Sequence, residues 1–199
     1  MSTSEIRALA RSLLDLCKAR RLTVATAESC TGGLVAGALT EIPGSSEVVM
    51  SGFVSYSNDA KHELLGVKNE TLANFGAVSK ETALAMATGG LKRAKTDLIV
   101  SITGIAGPGG ATPGKPVGLV HFGAASRDGR VLHLEKRFGA IGRSVVRQRS
   151  VIEALKLLTQ LARGPKSRKT AKLVPAGRTR TRVARKVRKV LTPRRPGRP

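Results

Sequence analysis

The last acidic residue of this 199-residue chain is Glu153, and the charge on either side of it limits where a fold can form. Residues 1–162 hold 20 Lys and Arg with all 13 Asp and Glu, a net +7. Residues 163–199 hold 15 Lys and Arg, no acid, five prolines and few apolar side chains. Such a segment cannot bury enough surface to offset the entropy of ordering, so a disordered basic tail is expected from about Arg163-Gly164-Pro165. The folded part is then residues 1–162, one domain by length. The tail can bind nucleic acid or another polyanion without sequence preference, through phosphate contacts and counterion release. It has no aromatic residue on which a base could stack.

Other residue counts exclude whole classes. Two cysteines, Cys17 and Cys30, cannot build a disulfide framework, and three histidines leave few ligands for zinc. Neither a metal nor a cofactor is expected. No apolar run nears the ~18 residues of a membrane span. The amphipathic start, Ser2 to Leu22, is broken by Glu5, Arg7, Arg11, Asp15 and Lys18, unlike a secretory leader. The expectation is a soluble cytoplasmic protein without membrane contact.

Periodicity alternates helix and strand. Ser2 and Glu5 resemble a capping box before Ile6, Leu9, Leu13 and Leu16 at helical spacing. Leu22–Ala27 reads as a strand, Leu34 to about Leu39 as a helix and Val48–Tyr56 as a strand. Short helices are expected over 61–65 and 70–75, and a longer one from the Ser79 cap to about Arg93. Asp97–Thr103 is a buried-strand candidate; Val117–Ala125 and Arg130–Phe138 form a hairpin around Ser126-Arg-Asp-Gly129; Arg143–Leu161 is a helix. The pattern implies an α/β protein, a three-layer α/β/α sandwich on a mixed, mainly parallel sheet.

The chemistry-bearing candidates lie at strand ends. Ala27-Glu-Ser-Cys-Thr-Gly-Gly33 puts a serine between a strand and a helix, where α/β proteins place reactive groups. Backbone N–H groups at that helix start could hold an oxyanion, a carboxylate or a phosphate, and Gly32 and Gly33 permit close approach. Equally, Ser29 or Thr31 could be a plain helix cap. Tyr56-Ser-Asn-Asp-Ala-Lys61 offers a second set: a lysine serves as base when burial leaves it neutral, and a tyrosine can relay a proton. Taken singly, these two read as a packed strand residue and a solvated helix residue. His121 and His133 fall mid-strand and read as structural; His62 lies in no motif.

Two familiar motifs are excluded. Gly109-Gly-Ala-Thr-Pro-Gly-Lys115 fits G-x-x-x-x-G-K, but Pro116 stands where a P-loop needs Ser or Thr, and it disfavours the helix that must follow. Tyr56 and Lys61 are one residue too far apart for a short-chain dehydrogenase, and the first glycine-rich loop lacks the dinucleotide pattern.

Together, Thr26-Ala-Glu-Ser-Cys-Thr-Gly-Gly33, Gly44-Ser-Ser46, Gly52-Phe-Val-Ser-Tyr-Ser-Asn58, Gly76-Ala-Val-Ser79, Thr103-Gly-Ile-Ala-Gly-Pro108 and Lys115-Pro-Val-Gly118 resemble the CinA C-terminal domain family over about residues 5–160. That family includes stand-alone bacterial nicotinamide-nucleotide amidohydrolases. The resemblance implies deamidation of nicotinamide mononucleotide to nicotinate mononucleotide and ammonia, in pyridine-nucleotide salvage, without metal. It carries catalytic roles over onto Ser29, Tyr56 and Lys61. Ser29 would attack the carboxamide, Lys61 would take its proton directly or through Tyr56, and amides near Cys30 and Thr31 would hold the oxyanion. Substrate contacts are expected at Cys30, Thr31, Gly32, Gly33, Thr103, Gly104, Ala106, Gly107, Arg143 and Arg147. The resemblance further implies a dimer or larger homo-oligomer, and an amidohydrolase half without the second domain of full-length CinA. Gly142 stands where the family often has an Asp. The alternative is a nucleic-acid-associated protein that binds polyanions by its tail and carries a non-catalytic nucleotide-binding domain.

Overall fold

Short apolar runs separated by glycine-rich junctions become five strands in the computed structural model, which describes residues 3–164. The elements are α1 (Thr3–Arg20), β1 (Val24–Glu28), α2 (Leu34–Thr40), a 3₁₀ turn (Ser45–Glu47), β2 (Val49–Val54), α3 (Asn58–Leu65), α4 (Asn69–Phe75), α5 (Lys80–Ala94), β3 (Leu98–Gly104), β4 (Leu119–Ser126), β5 (Val131–Arg137) and α6 (Arg143–Arg163). The Ser2 cap and the basic tail beyond Gly164 lie outside the described residues.

The sheet order is β2-β1-β3-β4-β5. β1 pairs in parallel with β2 and β3, and β4 runs antiparallel to both β3 and β5. Four strands therefore point one way and β4 the other, as a mixed, mainly parallel sheet requires. β1, β3 and β4 are buried along their lengths, while β2 and β5 form half-exposed edges.

The period-2 alternation of the strands divides the core in two. Val24, Val100, Ile102, Val120 and Phe122 face α1, α2 and α6. Ala25, Ala27, Ile99 and Ala125 face α5 and Leu65 of α3. Small side chains on this second face let α5 lie close to the sheet. At Gly90 an added Cβ would come within 2.7 Å of Ile99 Cδ1.

Two boundaries differ from the sequence expectation, and both shape the site. The strand expected to reach Tyr56 stops at Val54, because Ser57 turns outward and its Oγ accepts the Ala60 N–H at 3.0 Å as an N-cap. α3 consequently begins at Asn58, not Lys61, which places Lys61 in the first turn after the cap.

α3 is also fixed from behind. A Cβ at Gly89 would sit 1.7 Å from the Leu65 carbonyl oxygen at its C-terminal end. Gly89→Ala must push α3 away from α5, an overpacking that costs about 1–3 kcal/mol. The expected outcome is a lower melting temperature together with lost activity; a variant that melts and turns over like wild type would refute this account of how α3 is held.

Candidate active site

The parallel pairing of β1 with β2 sets Glu28 opposite Val54, so the chain segments that follow the two strands are neighbours. The Ser55 N–H donates to the Glu28 carbonyl at 2.8 Å, and the Ser29 N–H donates to the Ile102 carbonyl of β3 at 2.9 Å. Ser29 is thereby pinned at the C-terminal edge of the sheet. Lys61 reaches the same point from α3. Its Nζ lies 3.2 Å from Ser29 Oγ.

The amine is 1% exposed and sits among carbonyls, donating to Ser55 O at 3.0 Å, with Tyr56 O at 3.3 Å and Ser57 O at 3.4 Å. No carboxylate lies within ion-pairing distance of it among the described residues. Burial therefore lowers its pKa from the usual 10.5, since an ammonium ion loses more hydration than an amine. A Cys30 thiolate would oppose this shift. Burial, however, pushes the Cys30 thiol up to about 12, so that charge is absent near neutral pH. The result is an amine with a lowered pKa within hydrogen-bonding distance of a serine hydroxyl.

The loop between β1 and α2 supplies amides. Gly32 N–H turns back onto the Ser29 carbonyl at 3.0 Å. The buried Glu28 carboxylate accepts from Gly33 N–H and Val35 N–H at 3.0 Å each, and from Ala36 N–H at 2.8 Å. The start of α2, expected to be open to an anion, is thus filled by the protein's own carboxylate. Among the described residues the Cys30 and Thr31 amides donate to no other residue.

The other expected residues divide. The Tyr56 ring is 60% exposed, and its hydroxyl accepts from Arg143 Nη2 at 2.9 Å instead of meeting Ser29 or Lys61. Arg143 Nη1 also donates to Gly107 O at 3.0 Å, so this arginine ties the 104–110 loop to the Tyr56 turn. Arg147 Nη2 donates to Thr31 O at 2.8 Å and braces the Ser29 loop from the α6 side, close against Gly32. Thr103 is buried and donates to Ala77 O at 2.7 Å, Ala106 is buried, and Gly104 is pressed against the β4 backbone. Gly142 caps α6 without a side-chain hydrogen bond.

Residues set aside by the sequence reading fall elsewhere. His121 Nδ1 is 3.2 Å from His133 Nε2, and His62 Nδ1 is 2.9 Å from Val67 O. Lys115 donates to Phe75 O at 2.6 Å and is followed by a strand, not a helix. Among the described residues no cluster of three or more His, Cys, Asp or Glu could hold a metal ion, and no helix is long and apolar enough to cross a membrane. The residue that sequence reasoning missed is Glu28. Its signal was an acid just before a helix that starts at Gly33, a residue without a side chain to cap it.

Because the folded-state pKa of Lys61 is below its unfolded value, unfolding takes up a proton at pH values between the lowered pKa and 10.5. The lysine therefore costs stability progressively as pH falls from 10.5 toward the lowered value. Lys61→Met should gain melting temperature relative to wild type on going from pH 10.5 toward neutrality; a difference that does not change with pH would show that the amine is not desolvated.

A family model described as the CinA C-terminal domain matches residues 6–162. The nicotinamide-nucleotide amidohydrolase PncC of Escherichia coli K12 is 46% identical over 160 residues, covering 80% of this chain and 96% of that protein. A CinA-like protein of Chloroherpeton thalassium is 59% identical over 112 residues, which are 56% of this chain but 27% of that one. The chain spans only about a quarter to a third of the length of such CinA-like proteins. Among solved structures, the competence/damage inducible protein CihA from Agrobacterium tumefaciens superposes with a TM-score of 0.78 at 55% identity, covering 79% of this chain and 95% of that one.

Proposed function

The chain belongs to the CinA C-terminal domain family, and from that premise we propose that it hydrolyses the carboxamide of nicotinamide mononucleotide, giving nicotinate mononucleotide and ammonia in pyridine-nucleotide salvage. One observation carries the reading: a serine hydroxyl 3.2 Å from a buried lysine amine, in a chain that aligns with 96% of an amidohydrolase.

Neutral Lys61 takes the Ser29 hydroxyl proton as Oγ bonds to the amide carbon. The carbonyl oxygen becomes an oxyanion, held by the Cys30 and Thr31 N–H groups; losing one such donor typically costs about 10²–10³ in rate. The tetrahedral adduct collapses: the Lys61 ammonium protonates the amide nitrogen as the C–N bond breaks, and the nitrogen leaves as ammonia. Lys61, neutral again, deprotonates a water that attacks the acyl ester. The second collapse releases the carboxylate and returns a proton to Ser29 Oγ. The short Ser29–Lys61 distance favours direct transfer over a relay through Tyr56. The Tyr56 ring and Arg143, joined by their hydrogen bond at the rim, are assigned to the nucleotide, with the guanidinium available to its phosphate.

Ser29→Ala should lower ammonia release by roughly 10⁴–10⁶-fold. Lys61→Arg should fall equally far, because a guanidinium stays protonated in proteins. Wild-type kcat/KM should rise with pH up to the lowered lysine pKa and then level off. Near-normal turnover by Lys61→Arg would remove the lysine as base.

The tail supports a second activity beside the first, since 15 positive charges with no acid bind polyanions by charge alone. Protein ending at Arg163 should lose salt-sensitive DNA binding and keep ammonia release. If DNA binding disappears and no deamidation is measurable in either form, the nucleic-acid reading replaces the enzymatic one.

A further inference from the structure

Glu28 ends β1 with its side chain 0% exposed, and no cation lies within ion-pairing distance of it among the described residues. A carboxyl group out of water is costly unless its oxygens are hydrogen-bonded. Here three main-chain amides supply those bonds, from Gly33, Val35 and Ala36. The carboxylate and the nucleophile are adjacent in sequence, so what holds the one constrains the other.

The four residues between the strand and Gly33 form a closed loop. At its start the Glu28 carbonyl and the Ser29 amide are bound to Ser55 and Ile102. At its end Gly33 is bound back to the Glu28 side chain. In between, Gly32 closes on Ser29, and Arg147 takes the Thr31 carbonyl. The Thr31 carbonyl and the Gly32 and Gly33 amides are thus committed to the protein, and Gly32 and Gly33 adopt positive φ of 59° and 94° to allow it. Only the Cys30 and Thr31 amides remain without another residue to bind.

We infer that Glu28 is a positioning residue for the hydrolysis: its carboxylate locks the loop so that Ser29 Oγ faces Lys61 and the Cys30 and Thr31 amides are kept free of other residues beside it. This rests on the amidohydrolase reading of Ser29 and Lys61. Glu28 touches neither the substrate nor the reacting atoms. By filling the start of α2 it also keeps that helix end from competing for the substrate's negative charge, which leaves the arginine rim for the phosphate.

The test is Glu28→Gln, which preserves shape but accepts through one oxygen and turns an NH₂ toward an amide donor. Ammonia release from nicotinamide mononucleotide, measured well below the melting temperature, should show kcat lowered about 100-fold, the cost of a small misplacement of reacting groups. KM should stay within about threefold, and the pH midpoint of kcat/KM should not move, because Lys61 keeps its surroundings. Ala36→Pro, which deletes one of the three donors at a first-turn position that tolerates proline, should lower kcat about tenfold in the same way. A wild-type chain that releases no ammonia, or a Ser29→Ala variant that still does, sinks the underlying reading instead. With wild type active and dependent on Ser29, an unchanged kcat in both variants, or an effect confined to KM, overturns the assignment. If Glu28→Gln fails to fold, Ala36→Pro decides by the same criteria; failure of both to fold makes Glu28 a stability residue only.

Discussion

A lysine amine removed from water, with no acid beside it, is the interaction on which this structure turns. An ordinary lysine is charged at neutral pH and useless as a base. Burial lowers the pKa of Lys61 at the junction of α3, α5 and the sheet, where carbonyls can accept from an amine but supply no formal charge. Everything nearby serves that placement. The Ser57 cap starts α3 early enough to put Lys61 in its first turn, and Gly89 lets α5 press on the far end of the same helix. The parallel β1–β2 register brings the Ser29 loop alongside.

Negative charge is managed with the same economy. In many α/β proteins a glycine-rich turn leads into a helix whose free amides bind a phosphate. Here the turn has the right look, but Glu28 occupies the helix start from within. Beside Ser29 are left two amides that donate to no other residue, with arginines at the rim. That division suits a reaction whose charge develops on one carbonyl oxygen while a separate anionic group serves for binding.

The likeness to PncC runs through nearly its whole length, whereas the likeness to CinA-like proteins covers a minor part of theirs. The family thus carries this fold both by itself and within longer chains. The basic segment after Arg163 lies outside the residues the family model matches, and its charge is a property of this sequence that the fold neither requires nor explains.

The elements were legible in the sequence because each has its own period, cap or turn: Ser79 before α5, the alternation of β2, the Ser126–Gly129 turn of the hairpin. Ser29 and Lys61 were legible as a pair only through the resemblance, since singly each fits a blander role. Tyr56 was legible as a residue of the site, but not its hydrogen bond to Arg143, a residue 87 positions away. Thr103 and Ala106 sit in a motif whose glycines suggested a ligand, and the burial of their side chains could not be read from it. The order of residues along the chain determined the strands, the helices and the concentration of excess charge at the end, because propensity, patterning and composition are local properties. Whether the lysine is dry, which amides are spoken for and what the Glu28 carboxyl binds were decided by tertiary structure alone, because solvation and hydrogen bonding depend on neighbours that the chain brings together only when it folds.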